Sequence, residues 1–209
     1  LVEKNKVMNL TGITEYEEVI QKHFLDSLSL IRVIPDIASQ KLTVIDLGTG
    51  AGFPGIPLQI AFPELEITLM DSLNKRILFL QEVIDALGLK KVSAVHGRAE
   101  EMASNATHRQ QYDLCVSRAV SNLAVLTEYC LPFVKKGGLF VSYKSADSDA
   151  EIQEGKKAIS ILGGKLTSVD KFQLPDSDLR RALVCIKKVK DTPKKYPRKA
   201  GTPAKLPLK

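Results

Sequence analysis

Short apolar segments alternate with helical patterns through the middle of the chain, and this alternation constrains the fold most strongly. The segments predict five strands in chain order, at residues 43–47, 66–71, 91–96, 113–117 and 139–143. Helical patterns occur between or after these strands at residues 57–61, 74–87, 119–133 and 149–162. Strands that alternate with helices are joined by right-handed crossovers, which align the strands in parallel. The sequence therefore predicts an α/β fold with a mainly parallel sheet and helices on both faces.

The pattern changes after residue 162. Residues 166–172 and 182–189 predict two more strands, and the turn residues at 175–178 separate them without a helix. Consecutive strands joined in this way pair as an antiparallel hairpin. We therefore expect a seven-stranded sheet that this hairpin closes at one edge.

The first 40 residues predict a helical segment ahead of the sheet. Apolar residues recur at helical spacing over residues 14–33, and Thr14 with Glu17 fits a capping box. His23 lies near the apolar face, and Asp26 follows three residues later. The pattern alone favours a core-edge histidine paired with its neighbour. A second ligand at metal spacing is missing, so we predict no metal site.

Basic charge is concentrated at the C-terminus. The 209 residues carry a formal net charge of +6, but residues 187–209 hold nine basic residues against Asp191 alone and also contain four prolines. Such a segment is too polar to build a core, so it predicts either a solvated tail or an arm that follows a polyphosphate backbone. The expected organisation is a helical segment at 1–40, a ligand-binding domain at 41–190 and a basic, proline-rich tail at 191–209.

Composition excludes several classes of protein. With 44% hydrophobic and 26% charged residues, the chain is neither collagen-like nor fully disordered. It has no run of 18 apolar residues for a transmembrane helix, and no apolar stretch follows its first residues as a secretory signal would. The first residue is not methionine, so we expect a trimmed N-terminus. The cysteines are three in number, and Cys115, Cys130 and Cys185 have no CxxC spacing. An odd number without this spacing disfavours a disulfide framework or a zinc site and favours a reducing cytoplasm as the setting of the protein.

A glycine-rich loop follows the first predicted strand. It runs from Asp46 through Gly48, Gly50 and Gly52, and Phe53 stands where a dinucleotide fingerprint needs Gly or Ala. No Lys-Ser/Thr pair marks a triphosphate loop. An acidic residue before the glycines would repel a pyrophosphate, but it suits a ligand with a cationic amino group, such as S-adenosylmethionine. A tight structural turn is the alternative interpretation of the loop alone.

Two later segments favour the ligand interpretation. Asp71 ends the second strand, where a carboxylate can accept both hydroxyls of a ribose. Ala99 and Glu100 follow the third strand, where a backbone N–H and a side-chain acceptor can meet an adenine edge. The carboxyl ends of parallel strands form the crevice in which open α/β sheets bind ligands. Together with the terminal hairpin, this pattern resembles the Rossmann-like class I methyltransferase fold.

Six segments together resemble a bacterial family of small-subunit ribosomal RNA methyltransferases, also called glucose-inhibited division protein B. They are residues 9–11 (NLT), 23–28 (HFLDSL), 48–58 (GTGAGFPGIPL), 97–100 (GRAE), 116–119 (VSRA) and 196–203 (YPRKAGTP). The resemblance extends from about residue 5 to the C-terminus. Members carry a longer helix ahead of Asn9, which again implies truncation here.

The resemblance implies methyl transfer from S-adenosylmethionine to N7 of a guanine in 16S ribosomal RNA. It implies cofactor contacts at Gly48, Phe53, Ala99, Glu100 and Arg118, with Arg118 positioning groups near the transferred methyl. Guanine N7 has an in-plane lone pair and no proton, so no general base is expected and orientation can supply most of the catalysis. Side chains cannot reach N7 inside an A-form helix, so the target should be in a loop or be extruded.

Basic residues outside the cofactor positions are candidates for RNA contact. They are Lys144, Arg180, Arg181, Arg198 and Lys199. Each alone is also interpretable as a solvated charge. The expected partner is 16S ribosomal RNA or a small-subunit particle, with neither DNA nor a membrane, and the protein is expected to be a monomer. The open alternatives are a small-molecule methyltransferase on the same fold and a non-catalytic RNA-binding assembly factor.

Overall fold

The computed structural model describes residues 1–118 and 120–208 and contains one seven-stranded sheet. Ala119 and Lys209 lie outside the described residues. The strands are β1 (Thr43–Leu47), β2 (Glu66–Asp71), β3 (Val92–His96), β4 (Tyr112–Arg118), β5 (Val134–Ser145), β6 (Gly164–Gln173) and β7 (Arg180–Lys188). Their spatial order is β3-β2-β1-β4-β5-β7-β6. Strands β1 to β5 pair in parallel, while β7 pairs antiparallel with both β5 and β6. The predicted α/β fold with a terminal antiparallel hairpin is therefore confirmed.

Helices flank the sheet. They are α4 (Gly55–Ala61), α5 (Asn74–Leu87), α6 (Ala99–Met102), α7 (Leu123–Cys130) and α8 (Asp149–Ile161). The helix after β4 begins at Leu123 rather than at the predicted residue 119. The reason is local, because the Asn122 side chain accepts a hydrogen bond from Val125 N at 3.1 Å and caps the helix there.

The N-terminal segment is helical but irregular. After α1 (Val2–Met8), it continues as α2 (Tyr16–Val19), a π-helical stretch (Ile20–Leu25), α3 (Asp26–Leu28) and a 3₁₀ turn (Ser29–Arg32). The predicted capping box is wrong, since the helix is capped at Glu15 without a side-chain hydrogen bond. Insertions of π-helix frequently mark functional sites, and this one contains His23.

The core has two halves, one on each face of the sheet. Alternate residues of a strand point to opposite faces, so Ile45 packs with α7 and α8 while Val44 packs with α4 and α5. Leu30 of the N-terminal segment is fully buried in the second half. The helical segment at the N-terminus is therefore packed on the sheet.

The basic tail also docks on the protein. Tyr196 is only 8% exposed and belongs to the first half of the core. The Arg109 guanidinium donates to the carbonyl oxygens of Thr192 and Tyr196, each at 2.9 Å. The tail contains the short helix α9 (Thr202–Lys205). This packing corrects the interpretation of residues 191–209 as a solvated tail.

Candidate functional site at the carboxyl edge of the sheet

Two adjoining cavities open at the carboxyl ends of β1, β2 and β3. One has a volume of about 300 Å³ and is here called the first cavity. The other, the second cavity, has a volume of about 410 Å³. Gly48, Asp71, Ser72 and Val120 line both, so a single elongated ligand could extend through them. This is the crevice predicted from the sequence.

The glycine loop forms the floor between the cavities. Its backbone φ angles are +71° at Gly48, +60° at Gly50 and +95° at Gly52, values that L side chains rarely adopt. A Cβ at Gly52 would lie 2.6 Å from Ile56, so packing accounts for that glycine. A Cβ at Gly50 would meet no described protein atom within 4 Å, and Gly50 lines the second cavity. The space over Gly50 is therefore available to a ligand.

Asp46 holds the loop from beneath. Its side chain is fully buried, and Oδ2 accepts hydrogen bonds from Thr49 Oγ1 at 2.7 Å and Gly55 N at 2.8 Å. Burial raises the pKa of Asp46 to about 6, against the opposing effect of these two bonds. Asp46 is absent from the walls of both cavities. The expected direct contact with a cationic ligand is therefore replaced by an indirect role, in which Asp46 fixes the shape of the loop.

Asp71 faces both cavities at the end of β2. Its Oδ2 accepts from Gly50 N at 3.0 Å and Arg76 Nη1 at 3.1 Å, and its Oδ1 accepts from Leu73 N at 2.9 Å. An ionised carboxylate has about four acceptor positions. Three donors therefore leave about one position for a ligand hydroxyl, so accepting both hydroxyls of a ribose requires one of these donors to move away.

Ala99 and Glu100 lie at the far wall of the first cavity, at the start of α6. Glu100 Oε1 accepts a hydrogen bond from Gly201 N at 2.9 Å, and Gly201 lines the same cavity. Tyr129 of α7 completes this wall. The C-terminal tail thus closes one end of the site, a role that sequence reasoning missed even though Gly201 lies in a quoted segment.

Arg118, at the end of β4, is held between the N-terminal segment and the glycine loop. Its Nη1 donates to Asp26 Oδ2 at 2.7 Å, and its guanidinium lies 5.4 Å from the centre of the Phe53 ring. The His23 ring stacks on Phe53, with centroids 4.5 Å apart and planes at 11°. His23 Nε2 also bonds Thr11 Oγ1 at 2.8 Å. Three distant chain segments therefore meet at Arg118.

The environment of His23 favours its neutral form. Burial, and then the charge of Arg118, lower the pKa of His23 to about 4, while Asp26 opposes this shift. At pH 7 the imidazole is therefore uncharged. It contributes a flat ring and hydrogen-bonding nitrogens to this part of the site.

A third cavity of about 390 Å³ lies beyond Arg118 and His23, which line both it and the second cavity. Lys144 and Arg181, two of the predicted RNA-binding residues, line this third cavity. Lys144 Nζ also donates to Ser121 O at 2.6 Å.

The other predicted RNA-binding residues lie elsewhere. Arg180 and Lys199 are exposed. Arg198 pairs with the fully buried Glu128, donating from Nε to Oε1 at 2.9 Å and from Nη2 to Oε2 at 2.6 Å. This geometry makes Arg198 an anchor of the tail. RNA contact by these residues stays a prediction.

The described residues contain no group of three or more side chains that could hold a metal ion. The three cysteines are buried free thiols, and burial raises the pKa of Cys115 well above its usual value. In the described part of the chain, no helix has the length and apolar character needed to cross a membrane.

Comparison with known proteins identifies the family. The sequence pattern described as rRNA small subunit methyltransferase G matches residues 1–184. The chain belongs to the rRNA small subunit methyltransferase G family. It is 59% identical over 208 residues to the "Ribosomal RNA small subunit methyltransferase G" of Lachnoclostridium phytofermentans, covering 100% of this chain and 85% of that protein.

Solved structures of lower sequence identity share the fold of this member of the methyltransferase G family. The ribosomal protein L11 methylase of Lactobacillus delbrueckii subsp. bulgaricus aligns with a TM-score of 0.58 at 15% identity, covering 79% of this chain and 77% of that one. The E81Q mutant of MtNAS in complex with S-adenosylmethionine aligns with a TM-score of 0.61 at 13% identity, covering 90% of this chain and 72% of that one. These likenesses show the Rossmann-like fold of the family.

Proposed function

We propose that this chain transfers the methyl group of S-adenosylmethionine to N7 of a guanine in 16S ribosomal RNA. The observation that carries the proposal is the pair of adjoining cavities over the glycine loop, in a chain 59% identical to a protein named for small-subunit ribosomal RNA methylation. The acceptor is 16S RNA, alone or within a small-subunit particle, and the protein acts as a monomer. The buried free thiols fit the reducing cytoplasm as its location.

The residues at the site fit S-adenosylmethionine along its length. Ala99 and Glu100 would meet the adenine edge in the first cavity, and Asp71 would accept from the ribose hydroxyls. Gly48 and Gly50 would let the backbone approach the amino-acid part, in the space that a Cβ at Gly50 would enter. When bound, the cofactor supplies a methyl group on a positively charged sulfur.

Arg118 and His23 lie where the second cavity adjoins the third, and Phe53 of the second cavity stacks on His23. The guanine N7 lone pair forms the new bond to the methyl carbon as the carbon–sulfur bond breaks, so no proton has to be removed. The stacked rings of His23 and Phe53 and the ion pair of Arg118 with Asp26 hold this region rigid. Catalysis is then a matter of orientation and electrostatics.

Each of the three parts of the chain has a separate role in this proposal. Residues 1–40 complete the methyl-transfer end, residues 41–190 bind the cofactor, and residues 191–209 close the adenine end. The exposed lysines of the tail attract RNA.

The test is methylation of defined substrates by the purified protein. Small subunits and free 16S RNA, taken from a bacterium that lacks this methyltransferase, are incubated with labelled S-adenosylmethionine, and the product nucleotide is mapped by mass spectrometry. We expect one methyl group per RNA, at N7 of a single guanine. Incorporation at a different atom or base, into ribosomal protein, or none in either substrate would contradict the proposal.

A further inference from the structure

The third cavity holds a buried acceptor that the protein leaves without a hydrogen bond. Asp26 lines this cavity and is only 3% exposed. Its Oδ2 binds Arg118, but its Oδ1 has no hydrogen-bond partner among the described residues. The nearest cation, Arg181 Nε, lies 3.4 Å from Oδ1 and forms an ion pair without a hydrogen bond. Buried polar atoms are normally satisfied. Four other buried side-chain atoms of the described residues also lack a partner, but Asp26 alone among these five residues lines one of the three cavities. Its Oδ1 therefore indicates a ligand that brings its own hydrogen-bond donors.

The position of the cavity relates that ligand to methyl transfer. The second and third cavities share Arg118 and His23 in their walls, so the occupants of the two cavities would be neighbours. The volume of about 390 Å³ is in the range that small-molecule ligands occupy. Lys22, Lys144 and Arg181 line its walls, each paired with a carboxylate, from Glu18, Glu151 and Asp26 respectively. The phosphates of a nucleotide would be bound here by exchange for these carboxylate partners.

Guanine is the base that presents two adjacent N–H donors, which can both donate to one carboxylate group. Its Watson–Crick edge presents N1–H and N2–H side by side, whereas the same edge of adenine presents an unprotonated N1 that a carboxylate would repel. Proteins that extrude a base read this edge by hydrogen bonds. N7 and O6 lie on the Hoogsteen side of the base, so a guanine held by its N1–H and N2–H directs N7 away from the carboxylate.

We propose that the third cavity is the pocket for the target guanine and that Asp26 accepts hydrogen bonds from its N1–H and N2–H groups. This inference rests on the proposed function and adds how the acceptor base is chosen. Asp26 also favours the product, because 7-methylguanine carries a positive charge. Arg181, about a quarter exposed at its side chain, moves aside from Oδ1 and meets the phosphate.

The test compares guanosine with inosine, which keeps N7 but lacks the N2 amino group. Small subunits are reconstituted with 16S RNA ligated to carry either nucleoside at the mapped position. A lost hydrogen bond to a charged group costs about 1.5–3 kcal/mol, so wild-type kcat/KM should fall roughly 10- to 100-fold with inosine. A guanosine-to-inosine ratio near 1 would overturn the inference without any variant, while methylation of guanosine N7 would still stand as the proposed function.

Asp26→Asn separates base reading from the support that Asp26 gives to Arg118. We expect the guanosine rate to fall and the guanosine-to-inosine ratio to shrink toward 1, with the melting temperature and S-adenosylhomocysteine affinity as checks on folding. An unchanged ratio in Asp26→Asn, whatever its total activity, would mean that Asp26 only positions Arg118. Asp170→Asn is the control, because Asp170 also pairs with an arginine, Arg32, away from these cavities.

Discussion

At the scale of single residues, two glycines with the same backbone conformation allow a matched test of the cofactor site. Gly50 and Gly88 have φ angles of +60° and +63°, and a Cβ at either would meet no described protein atom within 4 Å. Gly50 lines the second cavity, whereas Gly88 follows the C-terminus of α5. Gly50→Val and Gly88→Val should therefore impose similar backbone strain, of order 1–3 kcal/mol. Only the first should abolish binding of S-adenosylhomocysteine in calorimetry, and equal affinities in the two variants would contradict the placement of the ligand.

His23 tests whether a base is needed. Because no proton leaves guanine N7, His23→Ala should keep a measurable methylation rate. Any decrease in that rate should reflect poorer positioning of Phe53 and Arg118. In wild type, the rate should show no ionisation of His23 near pH 6.5, since its folded pKa is about 4. A loss of the roughly 10²- to 10⁴-fold expected for a general base, with a single ionisation near neutrality, would instead indicate an acceptor that must be deprotonated.

The same lowered pKa has a consequence for stability. Between about pH 4 and 6.5 the unfolded chain protonates His23 and the folded chain does not. Linkage then makes the free energy of unfolding fall as the pH falls through this window. His23→Ala should weaken this acid dependence, measured as the melting temperature between pH 7 and 4.5. The same dependence of melting temperature on pH in both proteins would show that folding does not lower the pKa of His23.

At the scale of elements, local sequence patterns located most of the sheet. Strands β1 and β2 and helix α5 were predicted to the residue, since each is a short apolar or periodic segment bounded by turn residues. The start of α7 was missed by four residues because one cap at Asn122 decides it. Strand β5 begins at Val134, five residues before the predicted start at 139. Val134 pairs with Tyr112 of β4, and this pairing extends the strand over residues that have no apolar pattern.

The candidate site was predictable where it follows strand ends and not where distant segments meet. The glycine loop, Asp71, Ala99 and Glu100 are located by chain order and the rule for parallel sheets. The contact between Glu100 and Gly201 joins residues 101 positions apart, and no local pattern indicates it. The same holds for the meeting of His23 with Phe53.

The docked tail yields a prediction at this scale. Glu128 is fully buried, and its main partner is the Arg198 side chain, which is 25% exposed. Breaking a buried pair by removing one partner costs about 3–5 kcal/mol. Arg198→Gln should therefore lower the melting temperature by several degrees and weaken S-adenosylhomocysteine binding, because Gly201 nearby closes the first cavity. Lys199→Gln, next to it and exposed, should change neither quantity, and an unaffected Arg198→Gln would show that the tail docks by other contacts.

At the scale of the whole molecule, only part of the basic charge of residues 187–209 is available to RNA. Lys188 is 1% exposed, and its Nζ donates to Leu131 O at 2.6 Å. Burial lowers the pKa of Lys188 to about 7. Arg198 is neutralised by Glu128. Long-range attraction for phosphate therefore depends on the exposed lysines of this segment, which include Lys194, Lys199 and Lys205.

Salt dependence measures that attraction directly. If four to six protein charges meet phosphates, the slope of log affinity against log salt is on the order of −3 to −5 for RNA, at about −0.7 to −0.9 per contact. Replacing Lys194, Lys199 and Lys205 by Gln should flatten this slope by about 2 units and raise the KM for RNA. Affinity for S-adenosylhomocysteine should stay the same, because none of the three lines the cavities that would hold it. Deleting residues 191–209 would not be an equivalent experiment, since it would also remove the buried Tyr196.

A matched variant separates the position of the charge from its amount. Lys41, Lys90 and Lys136 are also exposed, and they lie before or near the amino-terminal ends of β1, β3 and β5, at the edge of the sheet opposite the candidate site. Replacing these three by Gln gives the same change in net charge. If RNA follows the tail, this variant keeps nearly the full salt slope, because exposed charges farther away than the Debye length of about 10 Å at 0.1 M salt are largely screened. Equal flattening in both variants would mean that RNA responds to total charge, and the tail would then have only its structural role at the cofactor site.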